Sequence, residues 1–255
     1  MMGGGEGYRL VWFQHLHKAA GTLIVNLAEV NGETLYPSHA NGNPKDEDGE
    51  VIPLWEFDAE LLSSFIDNCE SQGVTFVATE HGAPDYSVLA ADPRVFLISC
   101  MREPLKRGVA THNYAYYSGY TDAATLEEFV SEANVHMSDE YYVRMFSRRE
   151  QLPLAPIEED DYMRAMNALS GFDLILSTEH MVLRERLSER LGWSELGADR
   201  HATFGDGWKA WNMLKRLQLG RLVRYLRKRD ASESRAALEG RFDMDYRLMD
   251  ELFGD

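Results

Sequence analysis

The chain has 255 residues, 44% of them hydrophobic, and a formal net charge of −16. Length and apolar content suit one α/β domain with a sizeable core and exclude a disordered chain. The acidic balance argues against a nucleic-acid partner and against an anionic membrane surface. No apolar run approaches the ~20 residues of a membrane span. The opening MMGGGEGY has no basic or apolar signal regions, so a cytoplasmic location is expected, with residues 1–7 as a disordered lead-in and 8–255 as the domain. Cys69 and Cys100 make no disulfide framework and read as core thiols.

In chain order, Leu10–His15 is a run of strand formers. Lys18 and the small-residue turn Ala19-Ala20-Gly21 follow, and Thr22–Val30 reads as a helix. A strand, a tight turn and a helix N-terminus form an anion site, because the first helical N–H groups and the positive end of the dipole face the ligand. Lys18 adds a charge and Thr22 a hydroxyl. This is not a Walker loop, since the lysine precedes the small residues instead of following the glycine. His15 and His17 alternate about Leu16 and share a side; His15 reads as structural, and without a third ligand no metal site is expected. Residues 32–52 read as a solvated surface loop, whose acidic run Asp46–Glu50 lacks calcium-loop spacing.

A helix is expected over Asp58–Asn68 and a strand over Val74–Thr79. Glu80-His81-Gly82 follows that strand on the ligand-facing rim. Imidazole titrates near neutrality, so His81 is the first candidate for a general base, with Glu80 as its orienter or as the base itself. The strand Val95–Ser99 leads into Arg102-Glu103-Pro104 and a helix over Pro104–Tyr117, with His112 placed to face the cleft. Arg102 and Arg107 suit bidentate phosphate contacts. Tyr114, Tyr116, Tyr117 and Tyr120 read as core packing or as an acceptor-binding surface. Further elements are helices over Leu126–Ala133, Glu158–Leu169 and Val182–Leu191 and a strand over Leu174–Ser177. Trp208–Arg229 reads as one amphipathic helix carrying eight of the 26 basic residues, either a solvated face or a docking strip for an anionic acceptor. Alternating strands and helices predict a mainly parallel central sheet flanked by helices.

Two of these segments together resemble the PAPS-dependent sulfotransferases (PAPS, 3′-phosphoadenosine 5′-phosphosulfate), nearest in pattern to the Golgi-type and bacterial carbohydrate enzymes. His15, Lys18, Gly21 and Thr22 match their 5′-phosphosulfate loop; Ala19, Ala20 and Leu23 depart from it. Arg102, Pro104 and Arg107 match the strand–Arg-Asp-Pro–Arg segment that binds the 3′-phosphate. The family serine falls at Ala110, with Thr111 beside it. Residues 172–193 (FDLILSTEHMVLRERLSERLGW) resemble a later family strand and helix.

The resemblance implies a P-loop-like single domain that transfers a sulfuryl group from PAPS to a hydroxyl of a carbohydrate or small molecule. Lys18 and His81 with Glu80 would be catalytic. Lys18, Ala19, Ala20, Gly21, Thr22, Arg102, Arg107, Thr111 and Arg200 would hold the cofactor, whose product is adenosine 3′,5′-bisphosphate, with no metal. A non-catalytic nucleotide- or partner-binding module and a P-loop-like kinase stand as alternatives.

Overall fold

A computed structural model describes residues 7–132, 134–179, 183–194, 206–227 and 235–254. Four strands, β1 (Leu10–Gln14), β4 (Phe76–Thr79), β5 (Val95–Met101) and β6 (Leu174–Ser177), form one sheet in the order β4-β1-β5-β6, all parallel. β1 is wholly buried, as expected of a central parallel strand that reads as a continuous apolar run.

Alternate side chains of the sheet serve two cores. Leu10, Trp12, Val77 and Leu97 join one buried cluster with helices α2 (Ala59–Gln72), α3 (Tyr86–Ala91), α6 (Tyr141–Phe146) and α7 (Glu159–Leu169). Val11, Phe13, Ile98 and Cys100 join the other with α1 (Gly21–Val30) and α8 (Leu183–Leu191). The result is a three-layer α/β domain, and both cysteines are buried and free.

The carboxyl ends of three strands are locked by a buried polar network. Gln14 Nε2 donates to the Thr79 carbonyl at 3.0 Å, Thr79 Oγ1 donates to Gln14 Oε1 at 3.0 Å, and Ser99 Oγ donates to the Gln14 carbonyl at 2.9 Å. A buried network with these groups mutually satisfied fixes register more tightly than apolar packing alone.

Several expectations about elements change. Residues 32–52 do not form a solvated loop throughout: β2 (His39–Ala40) and β3 (Asn43–Pro44) make a hairpin whose Asn41-Gly42 turn has both φ positive, at 50° and 82°. Gly42 accepts from Ala78 N at 2.9 Å, so the hairpin lies along the outer edge of β4. The expected helix over Leu126–Ala133 is a single turn, α5 (Leu126–Phe129), with Ala133 outside the described residues. Its start is a capping box between Thr125 and Glu128, and Ser131 Oγ then donates to the Glu127 carbonyl, a local bond that competes with helix continuation.

The long basic helix is two helices, α9 (Asp206–Lys215) and α10 (Leu219–Leu226). Leu217 takes the left-handed position (φ 56°) that glycine usually holds, and Gln218 N closes back on the Met213 carbonyl at 2.9 Å. Lys228 and Arg229 lie outside the described residues.

The helix α4 (Pro104–Ser118) follows β5, and α11 (Asp243–Phe253) closes the fold against α6 and α7. Asp245 of α11 is fully buried and caps α6, Oδ1 accepting from Tyr142 N at 2.9 Å and Val143 N at 3.0 Å, while Oδ2 has no hydrogen-bond partner. Burial, with the neighbouring Glu140 carboxylate, pushes its pKa up from 3.8 to about 7. The folded state therefore holds a proton that the unfolded chain has lost, and the stability this contributes is lost as pH rises through about 7. Asp245→Asn keeps the accepting oxygen without the titration. Urea midpoints across this range should show the variant gaining on the parent as pH rises; parallel pH profiles would contradict the assignment.

Candidate functional site

In the order β4-β1-β5-β6, the chain leaves β1 toward β4 and returns to β1's other side at β5. The order of strand addition reverses beside β1, and open α/β sheets bind ligands outside the strand carboxyl ends at such a point. A pocket of about 620 Å³ lies there. The β1–α1 turn supplies His15, His17, Lys18, Ala20, Gly21 and Thr22 to its wall, and Leu23, Asn41, Glu80, Tyr114 and Tyr117 complete it.

The turn is built around His15. The imidazole is buried, stacked on Phe13 at 5.5 Å, and its Nδ1 lies 3.2 Å from Glu80 Oε2 without good hydrogen-bond alignment. Gly21 is required above it: a Cβ there would fall 1.7 Å from His15 Nε2. The backbone reaches α1 through two non-glycine residues in the left-handed region, Lys18 and Ala20, both at φ 62°. Each such residue stores roughly 1–2 kcal/mol, and strain of this kind collects at functional sites. α1 begins at Gly21 with no side-chain cap and no acidic residue in its first turn. The Gly21 and Thr22 N–H groups have no acceptor among the described residues. Lys18 places its ammonium 3.9 Å from the Tyr114 ring centroid, in the same pocket wall as Gly21 and Thr22.

Charge in the pocket is graded. Burial would raise the Glu80 pKa, but the His15 contact and the neighbouring imidazoles outweigh it and hold the group at about 2. His17 is neutral: burial, then His136 and Lys18, lower it to about 2. The nearest of these imidazoles to Glu80 is His15, whose Nδ1 lies 3.2 Å from the carboxylate. Beneath the pocket the His17 and His136 rings lie 4.5 Å apart, and burial with the Arg107 cation lowers His136 to about 4. Residues missed in the sequence are thus His136, Asn41 and Asn43, whose Oδ1 accepts the Glu80 N–H at 2.8 Å. The asparagine-glycine turn was the signal for the last two. Nothing in the sequence pairs His136 with His17.

The predicted site residues separate. Lys18, Ala20, Gly21, Thr22 and Glu80 meet at the pocket, while Ala19 is fully buried in the core behind it. His81 does not share that wall. It is exposed, edge-on to Trp55 at 6.2 Å, and lines a second pocket of about 720 Å³ with Trp55, Arg148 and Glu150. Glu80 contacts His15 and does not orient His81.

Arg107, expected on a phosphate-facing surface, is fully buried. Its Nη1 donates to the His136 carbonyl at 2.7 Å, its guanidinium lies 3.8 Å over Tyr141, and Nε and Nη2 have no partner. Its place on the inward side of α4 follows from helix phase, which sets it with Thr111 one turn on. Thr111 Oγ1 donates to the Arg107 carbonyl at 3.0 Å and lies 3.4 Å from His17 Nδ1. Arg102 is half-buried at the end of β5, its N–H and carbonyl both bonded to the Tyr142 hydroxyl, and its side chain has no ion pair among the described residues. His112 faces away from the cleft, bonded to the Ala123 carbonyl at 3.0 Å. Arg200 lies outside the described residues, as do His180 and His201.

The turn geometry separates two adjacent substitutions. Ala20→Gly removes the left-handed penalty and should raise stability by up to about 1 kcal/mol, after the added freedom of the unfolded chain is deducted. Gly21→Ala should lower it by about 1–3 kcal/mol, because the buried, stacked His15 ring has nowhere to move. Thermal melts of the two variants check this; melts shifted in the same direction would contradict the geometry.

No protein-family model matches the chain, and the search of curated proteins finds no significant match.

Proposed function

We propose that the protein transfers a sulfuryl group from PAPS to the hydroxyl of a carbohydrate or small-molecule acceptor, on a P-loop-like framework. One observation carries this reading: an uncapped helix N-terminus, entered through two strained left-handed residues, shares a pocket wall with a lysine at the point where the sheet order reverses. Its unfilled N–H groups and Lys18 fit the phosphosulfate end of PAPS. PAPS supplies an activated sulfuryl group with adenosine 3′,5′-bisphosphate as leaving group.

The work left to the protein is positioning, charge stabilisation and removal of one proton. Lys18 and the amides of Gly21 and Thr22 stabilise charge on the leaving 5′-phosphate. Glu80 and His81 are consecutive and border different pockets, so the segment after β4 divides a donor side from an acceptor side. His81 faces the acceptor side and makes no hydrogen bond among the described residues, so a ring nitrogen is open to take the hydroxyl proton. Glu80, whose pKa is held at about 2, is the weaker base and serves to anchor His15. Arg102 is the accessible cation for the 3′-phosphate. Arg107 reaches that phosphate only if the turn at His136 opens, which would fill its two orphaned donors.

Calorimetry with adenosine 3′,5′-bisphosphate against magnesium-ATP tests the reading. The bisphosphate should bind and raise the melting temperature, and Lys18→Ala should weaken it; preference for magnesium-ATP would favour a kinase. Under turnover with PAPS, His81→Ala should lose on the order of 100-fold or more in kcat with cofactor binding intact. Glu80→Gln should lose less. The reverse order would transfer the base to Glu80, and bisphosphate binding without transfer to any acceptor would leave a binding module.

A further inference from the structure

The helix α10 is inside out. Its inward face is polar and aromatic: Arg224 donates to the carbonyls of Tyr116 and Thr121 and pairs with Asp122 at 2.7 Å, Arg221 lies 5.6 Å over Tyr117, and Tyr225 is buried edge-on to Tyr117. Its outward face carries Leu219, Val223 and Leu226, at i, i+4 and i+7, which are 57%, 49% and 68% exposed. α9 and the break add Trp211, Leu214 and Leu217, the last 81% exposed. Isolated exposed apolar residues are ordinary; six along two successive helices and the break between them mark an interaction surface.

Exposed Lys215, Arg216 and Arg227 flank the stripe, and none is paired with a carboxylate among the described residues. An apolar helical face rimmed by cations without carboxylate partners, one of them Lys215 lying 5.7 Å over the Trp211 ring, is the pattern of a helix lying in a membrane interface. The flanking cations complement the anionic headgroups of a bilayer. A second copy fits the surface poorly, because an isologous contact would set the two rows of cations against each other. The net charge of −16 opposes approach to an anionic surface at long range, but charges beyond about 10 Å are screened at ordinary ionic strength, leaving the local strip to decide contact. We propose that the outer face of α9–α10 docks the protein on anionic lipid bilayers, seating these side chains among the headgroups. This does not depend on the reaction assigned above.

Co-sedimentation of the full chain with phosphatidylcholine vesicles containing about 30% phosphatidylserine tests the proposal. The protein should pellet with them, release at high salt, and pellet at least tenfold less with phosphatidylcholine alone. Val223→Asp with Leu226→Asp should abolish pelleting while leaving the melt unchanged, since both side chains are exposed. Lys215→Glu with Arg216→Glu should weaken it through charge alone, which keeps the test valid if the first variant is unstable. Failure to pellet, equal pelleting on neutral vesicles, or undiminished pelleting of both variants would overturn the proposal. So would light scattering that shows a dimer split by Val223→Asp, which would identify the stripe as a self-association surface.

Discussion

The site depends on the close approach of Gly21 to the ring of His15. That contact joins the end of β1 to the first turn of α1, and the same imidazole lies against Phe13 below and Glu80 beside it. Remove the space at Gly21 and the turn cannot bring the helix amides over the strand end. The left-handed backbone at Lys18 and Ala20 is the conformational cost of that approach. It persists because the packing on both sides leaves no alternative path between a buried strand and a buried helix.

Electrostatics follow from the same arrangement. A chain of net charge −16 would repel a polyanionic ligand, so any anion site has to be local and preorganised. Lys18 and the helix dipole provide that local field, and the neutrality of His17 and His136 spares the site an imidazolium whose protonation would change with pH. Arg107 is the opposite case, a buried cation with two unfilled donors, held by a carbonyl and an aromatic face. Such a group is costly in isolation, and the His136 carbonyl and the Tyr141 ring offset part of that cost.

The parts legible in the sequence were those written in contiguous residues. β1, β5 and β6 are apolar runs bounded by turns, and the Lys18–Thr22 loop announces a strand-to-helix turn by its small residues. What was not legible depended on contacts between distant segments. Arg102 and Arg107 are five residues apart, yet helix phase and the tyrosines of α6 leave one half-buried beside Glu179 and enclose the other. Glu80 and His81 are neighbours, and the irregular backbone after β4 carries them to different pockets. The break in the basic helix falls at Leu217, without the glycine or proline that would signal it. The inversion of α10 shows only once Tyr116 and Tyr117 are seen to receive its arginines.

The central claim is that the β1–α1 turn is the phosphate-binding element. A crystal structure of the protein with adenosine 3′,5′-bisphosphate tests it most directly. The account predicts the 5′-phosphate on the Gly21 and Thr22 amides, with the Lys18 ammonium moved from the Tyr114 ring onto the phosphate. A nucleotide bound elsewhere, or a turn whose amides take no part in holding it, would contradict the account.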